Sequence, residues 1–147
     1  MAAATPKQPF SVAYLDCDEF KHINDQLGHQ AGDLVLQAVA ELLLRSVRRR
    51  DTVARLGGDE FGLILSETSE EEARTTTGRI LTSLSTAELT TLPGAVSLSA
   101  GVATFHTAAS IDEVLAQADR LLLEAKRTGK HRALFRTFLR GQPLARE

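Results

Sequence analysis

Segment 10–15, FSVAYL, is apolar on both of the faces between which an extended strand alternates. Phe10, Val12 and Tyr14 fall on one side, Ala13 and Leu15 on the other. Such a strand needs cover above and below, which places it in the middle of a sheet packed on both faces. It stops abruptly in DCDE, so carboxylates collect at its C-terminal end. The other segments must be fitted around that arrangement.

Segment 31–47 carries Leu34, Val35, Ala38, Val39, Leu42 and Leu43 at helical spacing. Asp33 lies in or near its first turn, and Arg45 and Arg48 to Arg50 at its far end, as the helix dipole favours. A hairpin follows, in which TVARL enters GGDE and FGLIL leaves it, with Phe61, Leu63 and Leu65 sharing a face. Gly57 and Gly58 permit a tight turn or close ligand approach. Asp59 and Glu60 fall at the tip or on the start of the return strand. A helix over 70–85 turns Ala73, Thr77, Ile80, Leu81 and Leu84 inward, and a connection over 85–94 follows. AVSLSAGVATF sets Val96, Leu98, Ala100 and Val102 against Ser97, Ser99, Gly101 and Ala103. Ser110 and Glu113 make a capping box for a helix running to about Thr128, where Gly129 stops it. That helix buries Ile111, Val114, Leu115, Ala118, Leu121, Leu122 and Ala125, and RALFR is the last strand. The predicted order is β-α-β-β-α-β-α-β, a single α/β (α+β) domain over 10–136 with a loose arm at 1–9 and a tail at 137–147.

Composition excludes several functions. Lys and Arg total 17 against 19 Asp and Glu, a net charge of -2, which does not suit a binder of nucleic acid polymers. The single Cys17 excludes an internal disulfide framework and a cysteine-rich zinc site. No apolar run approaches the roughly 18 residues of a membrane span, and the first nine residues lack signal-peptide features. The expected setting is reducing and cytoplasmic. Neither a Walker P-loop nor a dinucleotide GxGxxG is present.

What remains are two acidic sites separated by a helix. Asp16 ends the first strand and Asp59 sits in the hairpin. A strand, a crossover helix and a return strand can bring them together. Two convergent carboxylates with water and a phosphate form a hard-oxygen site suited to Mg²⁺. On spacing alone, solvated loop carboxylates are the alternative. The basic runs at 45–55 and 126–140 read either as solvated surface or as partners of an anionic ligand.

Four motifs, in order, resemble one family. Residues 57–61 read GGDEF; 16–34 read DCDEFKHINDQLGHQAGDL; 97–103 read SLSAGVA; 118–131 read ADRLLLEAKRTGKH. Together they are similar to the GGDEF domain, the diguanylate cyclase family. The resemblance implies a nucleotidyl-cyclase or palm-like fold, a mainly antiparallel sheet flanked by helices. It further implies condensation of two GTP molecules to cyclic di-GMP and two pyrophosphates across a transient head-to-tail homodimer. Asp16, Asp59, Glu60 and the backbone carbonyl of Cys17 would then hold Mg²⁺ or Mn²⁺. Glu60 would take a role in charge and positioning, with the general base left open between the acids. Asn24 and Asp33 would read guanine, and backbone amides over Asp18, Glu19, Phe20 and Lys21 would cradle the β and γ phosphates. Lys126 and Lys130 would contact phosphate, and Gly57 and Gly58 would leave room for ribose and the α-phosphate. Arg48 and Asp51 resemble an R-x-x-D site that binds the product and inhibits.

The chain departs from the pattern in three places. The family's opening helix and L-T-G-L-x-N-R turn is not found before the first strand, Leu123 stands where the family has Tyr, and His131 where it has Asn. Neither replacement alters a proposed metal ligand, but the missing opening element favours a second reading, a catalytically weak or inactive module that binds GTP or cyclic di-GMP and regulates a partner.

Overall fold

The structure, a computed structural model, describes residues 8–84 and 96–139. The connection expected over 85–94, and the parts of the arm and tail beyond these limits, lie outside the described residues. In chain order the elements are β1 (Phe10–Cys17), α1 (Phe20–Leu27), α2 (His29–Ser46), β2 (Thr52–Arg55), β3 (Glu60–Leu65), α3 (Glu70–Leu84), β4 (Leu98–Phe105), α4 (Ile111–Arg127) and β5 (Ala133–Phe138). The sheet order is β2-β3-β1-β4-β5. All neighbours are antiparallel except β4 and β5, which are parallel. This is the mixed, palm-like fold expected, with β1 at its centre.

Both faces of β1 are covered, as its sequence requires. Ala13, Leu15 and Cys17 join Val35, Val39, Leu43, Phe61, Leu63 and Ile80 in a core under α2 and α3. Val12 faces a second core with Ala103, Phe105, Val114, Ala118 and Phe138 under α4, with Phe10 and Tyr14 packed beside it. The Phe10, Phe105 and Phe138 rings stack in sequence at centroid spacings of 5.4 and 4.9 Å. The α4 helix seats closely because β4 carries Gly101. A Cβ there would lie 2.1 Å from the Ala118 carbonyl oxygen. The expected capping box at Ser110 and Glu113 is present.

Several boundaries differ from the sequence reading. The first strand continues past Leu15 to Cys17, because Asp16 pairs with Glu60 and Ser99, and Cys17 with Leu98. A short helix, α1, stands between the first strand and the helix expected over 31–47, where the predicted order has no element. The next helix starts at His29, after Gly28 at φ 90°, and leaves Leu34 53% exposed while burying Leu36. The last strand runs to Phe138, which is buried. No helix among the described residues is long and apolar enough to cross a membrane.

Candidate active site

The β1–β3 register brings the two acidic segments together. Asp16 pairs with Glu60, and the Cys17 amide donates to the Asp59 carbonyl at 3.3 Å. The carboxyl groups of Asp16 and Asp59 are within hydrogen-bonding reach. Burial, then the Asp59 carboxyl, push Asp16 up to about 7, with Lys126 pulling the other way. Asp16 Oδ1 is buried and has no partner, while Oδ2 lies 3.6 Å from Lys126 Nζ. A buried, unpaired carboxylate oxygen beside a second carboxylate fits a divalent cation, which would satisfy the lone pairs and remove the repulsion. Among the described residues no three His, Cys, Asp or Glu side chains gather as a metal-binding group. Glu60 is instead engaged elsewhere, accepting from the Tyr14 phenol at 3.1 Å. Burial, then Glu60, push Tyr14 up to about 12. The Cys17 thiol is buried in the core and pushed up to about 12 by burial, so it stays protonated.

Asp18 does work that its sequence position does not reveal. Oδ1 accepts from Ser99 Oγ at 2.6 Å and Lys126 Nζ at 3.2 Å, and Oδ2 from Ser97 Oγ at 2.6 Å and the His131 amide at 3.0 Å. Burial alone would raise its pKa, but these donors outweigh it and hold the carboxyl below the usual aspartate range. Asp18 thus ties the end of β1 to the start of β4, to α4 and to the turn after α4. Its own amide donates to the Ser97 carbonyl at 2.9 Å, so that amide is not available to a phosphate. Sequence reasoning missed Ser97 and Ser99; their alternation onto the α4 face was the available signal.

The remaining cradle amides belong to Glu19, which caps α1 in left-handed conformation at φ 56°, and to Phe20 and Lys21, which precede the helix's first bond, from the Ile23 amide to the Glu19 carbonyl. The Phe20 side chain packs against the core, and Lys21 is exposed. Lys126 is on α4, but α4 ends at Arg127. Lys130 lies beyond the helix, as the stop at Gly129 implied, at φ 60°, and pairs with the Glu19 carboxylate. Both lysines meet carboxylates at the mouth of the site.

Asn24 lies on α1 with its Oδ1 buried and unpartnered. It sits against Gly32, where a Cβ would be 1.9 Å from that oxygen. Asp33 is exposed and falls in the second turn of α2, just past the first turn in which the helix dipole favours an anion. It borders a groove of about 280 Å³ with Leu36, Gln37, Ala40, Arg55 and Phe61. Arg55 also clamps the glycine turn, donating to the Gly57 and Gly58 carbonyls at 2.6 to 3.2 Å. A Cβ on Gly58 would meet open space, whereas one on Gly57 would crowd Glu60.

Arg48 and Asp51 form a separate place just ahead of β2, at the opposite end of the β2–β3 hairpin from the glycine turn. Asp51 accepts from the Arg48 amide at 2.8 Å and the Ser66 amide at 3.0 Å. The Arg48 guanidinium reaches the Ser66 carbonyl at 2.9 Å and borders a groove of about 310 Å³ with Thr68, Glu72 and Arg79.

A sheet of this topology, with paired acids where its central strand meets a glycine hairpin, defines a palm-like domain. The chain belongs to the GGDEF family: the family model described as "Diguanylate cyclase, GGDEF domain" matches residues 1–132. It is 40% identical over 127 residues to "Diguanylate cyclase DosC" of Escherichia coli K12, covering 84% of this chain and 28% of DosC. It is 35% identical over 142 residues to "Probable diguanylate cyclase DgcT" of the same organism, covering 92% of this chain and 31% of DgcT. The chain thus spans under a third of the length of these relatives. The fold superposes on the active GGEEF domain of a diguanylate cyclase from Vibrio cholerae with a TM-score of 0.79 at 31% identity, covering 88% and 83% of the two chains. It superposes equally, at 0.79 and 32% identity over 86% and 77% of the chains, on the GGDEF domain of DgcB from Caulobacter crescentus in complex with c-di-GMP.

Proposed function

We propose that this domain is a diguanylate cyclase that condenses two GTP molecules into cyclic di-GMP. The observation that carries the reading is the β1–β3 pairing that sets Asp16 beside the Asp59–Glu60 segment, with Asp16 Oδ1 buried and unpartnered. Asp16, Asp59 and the Cys17 carbonyl would hold Mg²⁺, with Glu60 alongside. When bound, the ion supplies charge neutralisation at the phosphate oxygens.

The chain's own residues supply the rest. Asn24 offers an acceptor that lacks a donor, and guanine presents N–H groups; Asp33 adds a second acceptor. The free amides of Glu19, Phe20 and Lys21 face anionic phosphate. Lys130 exchanges its exposed Glu19 partner for phosphate at little cost, since exposed ion pairs are weak. Lys126, shared between Asp16 and Asp18, is held at the same mouth. Two domains meet head to tail, each carrying one GTP. Each 3′-oxygen forms a bond to the other substrate's α-phosphorus as the α–β phosphoanhydride breaks, releasing pyrophosphate and a proton. Cyclic di-GMP binds back at the Arg48 groove, where Arg48 and Arg79 offer guanidinium groups while Asp51 holds the turn.

Incubating concentrated protein with GTP and Mg²⁺, then separating products by chromatography, tests the reading. Cyclic di-GMP from the wild type and none from Asp59→Ala is expected. No product over a concentration series, with GTP still bound, would overturn catalysis in favour of a binding module. Equal cyclic di-GMP affinity in wild type and Arg48→Ala would remove the product site.

A further inference from the structure

Tyr14 is absorbed by neither the core nor the cyclase reading. It is half-buried at the margin of the α4-side core, and its phenol donates to Glu60 Oε1 at 3.1 Å. The sheet leaves room for this. Tyr14 pairs with Gly62 on β3 and with Gly101 on β4, so neither strand sets a side chain directly beside its ring. Glu60 is opposite Asp16, two residues on from Tyr14, and therefore on the same face and diagonal to it. An aromatic side chain can span that diagonal. On the other side, a Cβ at Gly57 would lie 2.9 Å from the same Glu60 oxygen. Among the described residues the side-chain hydrogen bond that Glu60 accepts is the one from Tyr14, at Oε1.

We propose that Tyr14 is a positioning residue that fixes the orientation of Glu60 through the phenol–Oε1 hydrogen bond. The phenol pins Oε1 and leaves Oε2 to meet the ligand. A carboxylate with one oxygen held by a fixed donor loses rotational freedom before the ligand arrives, which is how an outer group orients an inner one. This inference rests on Glu60 serving the GTP site.

Tyr14 is the chain's one tyrosine, so protein labelled with ¹³Cζ-tyrosine gives a single phenol carbon resonance. In ligand-free protein, Glu60→Ala should shift that resonance, because the hydrogen bond to a carboxylate is lost. Tyr14→Phe should lower kcat about tenfold with KM for GTP nearly unchanged, and should weaken the Mg²⁺ dependence of GTP binding measured by calorimetry. Its melting temperature should stay close to that of the wild type. A resonance unmoved by Glu60→Ala would overturn the proposal. So would a Tyr14→Phe protein whose Mg²⁺ dependence of GTP binding equals that of the wild type. Neither arm needs turnover, so an inactive chain would sink the cyclase reading and leave this one to be decided by the resonance and the calorimetry.

Discussion

Replacing Gly32 by alanine separates the nucleotide site from the fold that carries it. A Cβ at that position would stand 1.9 Å from Asn24 Oδ1, 3.0 Å from its Cγ and 3.2 Å from Phe20 Cζ. Ordinary contact begins near 3.4 Å, so the Asn24 carboxamide must retreat by about 1.5 Å. It cannot do so and keep the geometry that reads a base, because hydrogen bonds fail steeply over that range. Losing one or two buried base contacts should weaken GTP binding about 10- to 100-fold. Stability should change somewhat less, by about 0–2 kcal/mol net. Overpacking costs about 1–3 kcal/mol, while alanine in a helix interior recovers about 1 kcal/mol over glycine. Calorimetric titration with GTP, run beside thermal melts, makes the comparison. Gly78→Ala is the control, since a Cβ there meets nothing within 4 Å. It should raise the melting temperature slightly and leave GTP affinity alone. A Gly32→Ala protein that binds GTP as tightly as the wild type would refute the placement of the base beside Asn24.

Three further outcomes follow from the same geometry. Because Asp16 is raised to about 7, metal-free protein carries its favourable contribution at pH below the ordinary aspartate range and loses it as pH climbs through 7. Melts of metal-free wild type should therefore weaken from about pH 4 to 7 relative to Asp16→Asn; parallel profiles would contradict this. Asp18→Ala should cost about 3 kcal/mol in urea unfolding, since it strands two serine hydroxyls, an amide and Lys126 together. Ser97→Ala should cost less, and an Asp18→Ala loss near zero would remove the anchoring role. Gly101→Ala should prevent normal α4 docking, as the clash is with backbone; a soluble variant with wild-type melting would contradict the close approach.

The two-faced pattern of FSVAYL predicted a central strand with a core on each side, and both cores form with the residues expected on each face. Phe61, Leu63 and Leu65 likewise share the core under α2 and α3. That much is local periodicity. The α1 helix was not legible because FKHINDQL has few apolar residues and buries only Ile23. The slipped face of α2 has a similar origin: Leu34 and Leu36 are both leucines two residues apart, and only packing decides which is inside. The acids of the site were legible as motif residues, and β1–β3 pairing accounts for their meeting. What Asp18 does was not legible, because its donors lie 79 to 113 residues away in sequence. The end of α4 was legible from Gly129, but the left-handed turn at 130 and 131 that carries Lys130 to Glu19 left no mark in the sequence.

The cation cradle of Asp16 and Asp59 is the claim on which the chemistry rests. Electron paramagnetic resonance of Mn²⁺ added with a GTP analogue lacking the 3′-hydroxyl reads it directly, since no turnover intervenes. Wild-type protein should bind Mn²⁺ stoichiometrically with the nucleotide, and Asp16→Asn and Asp59→Asn should each lose most of that signal. Full Mn²⁺ binding by both variants at wild-type affinity would contradict the account.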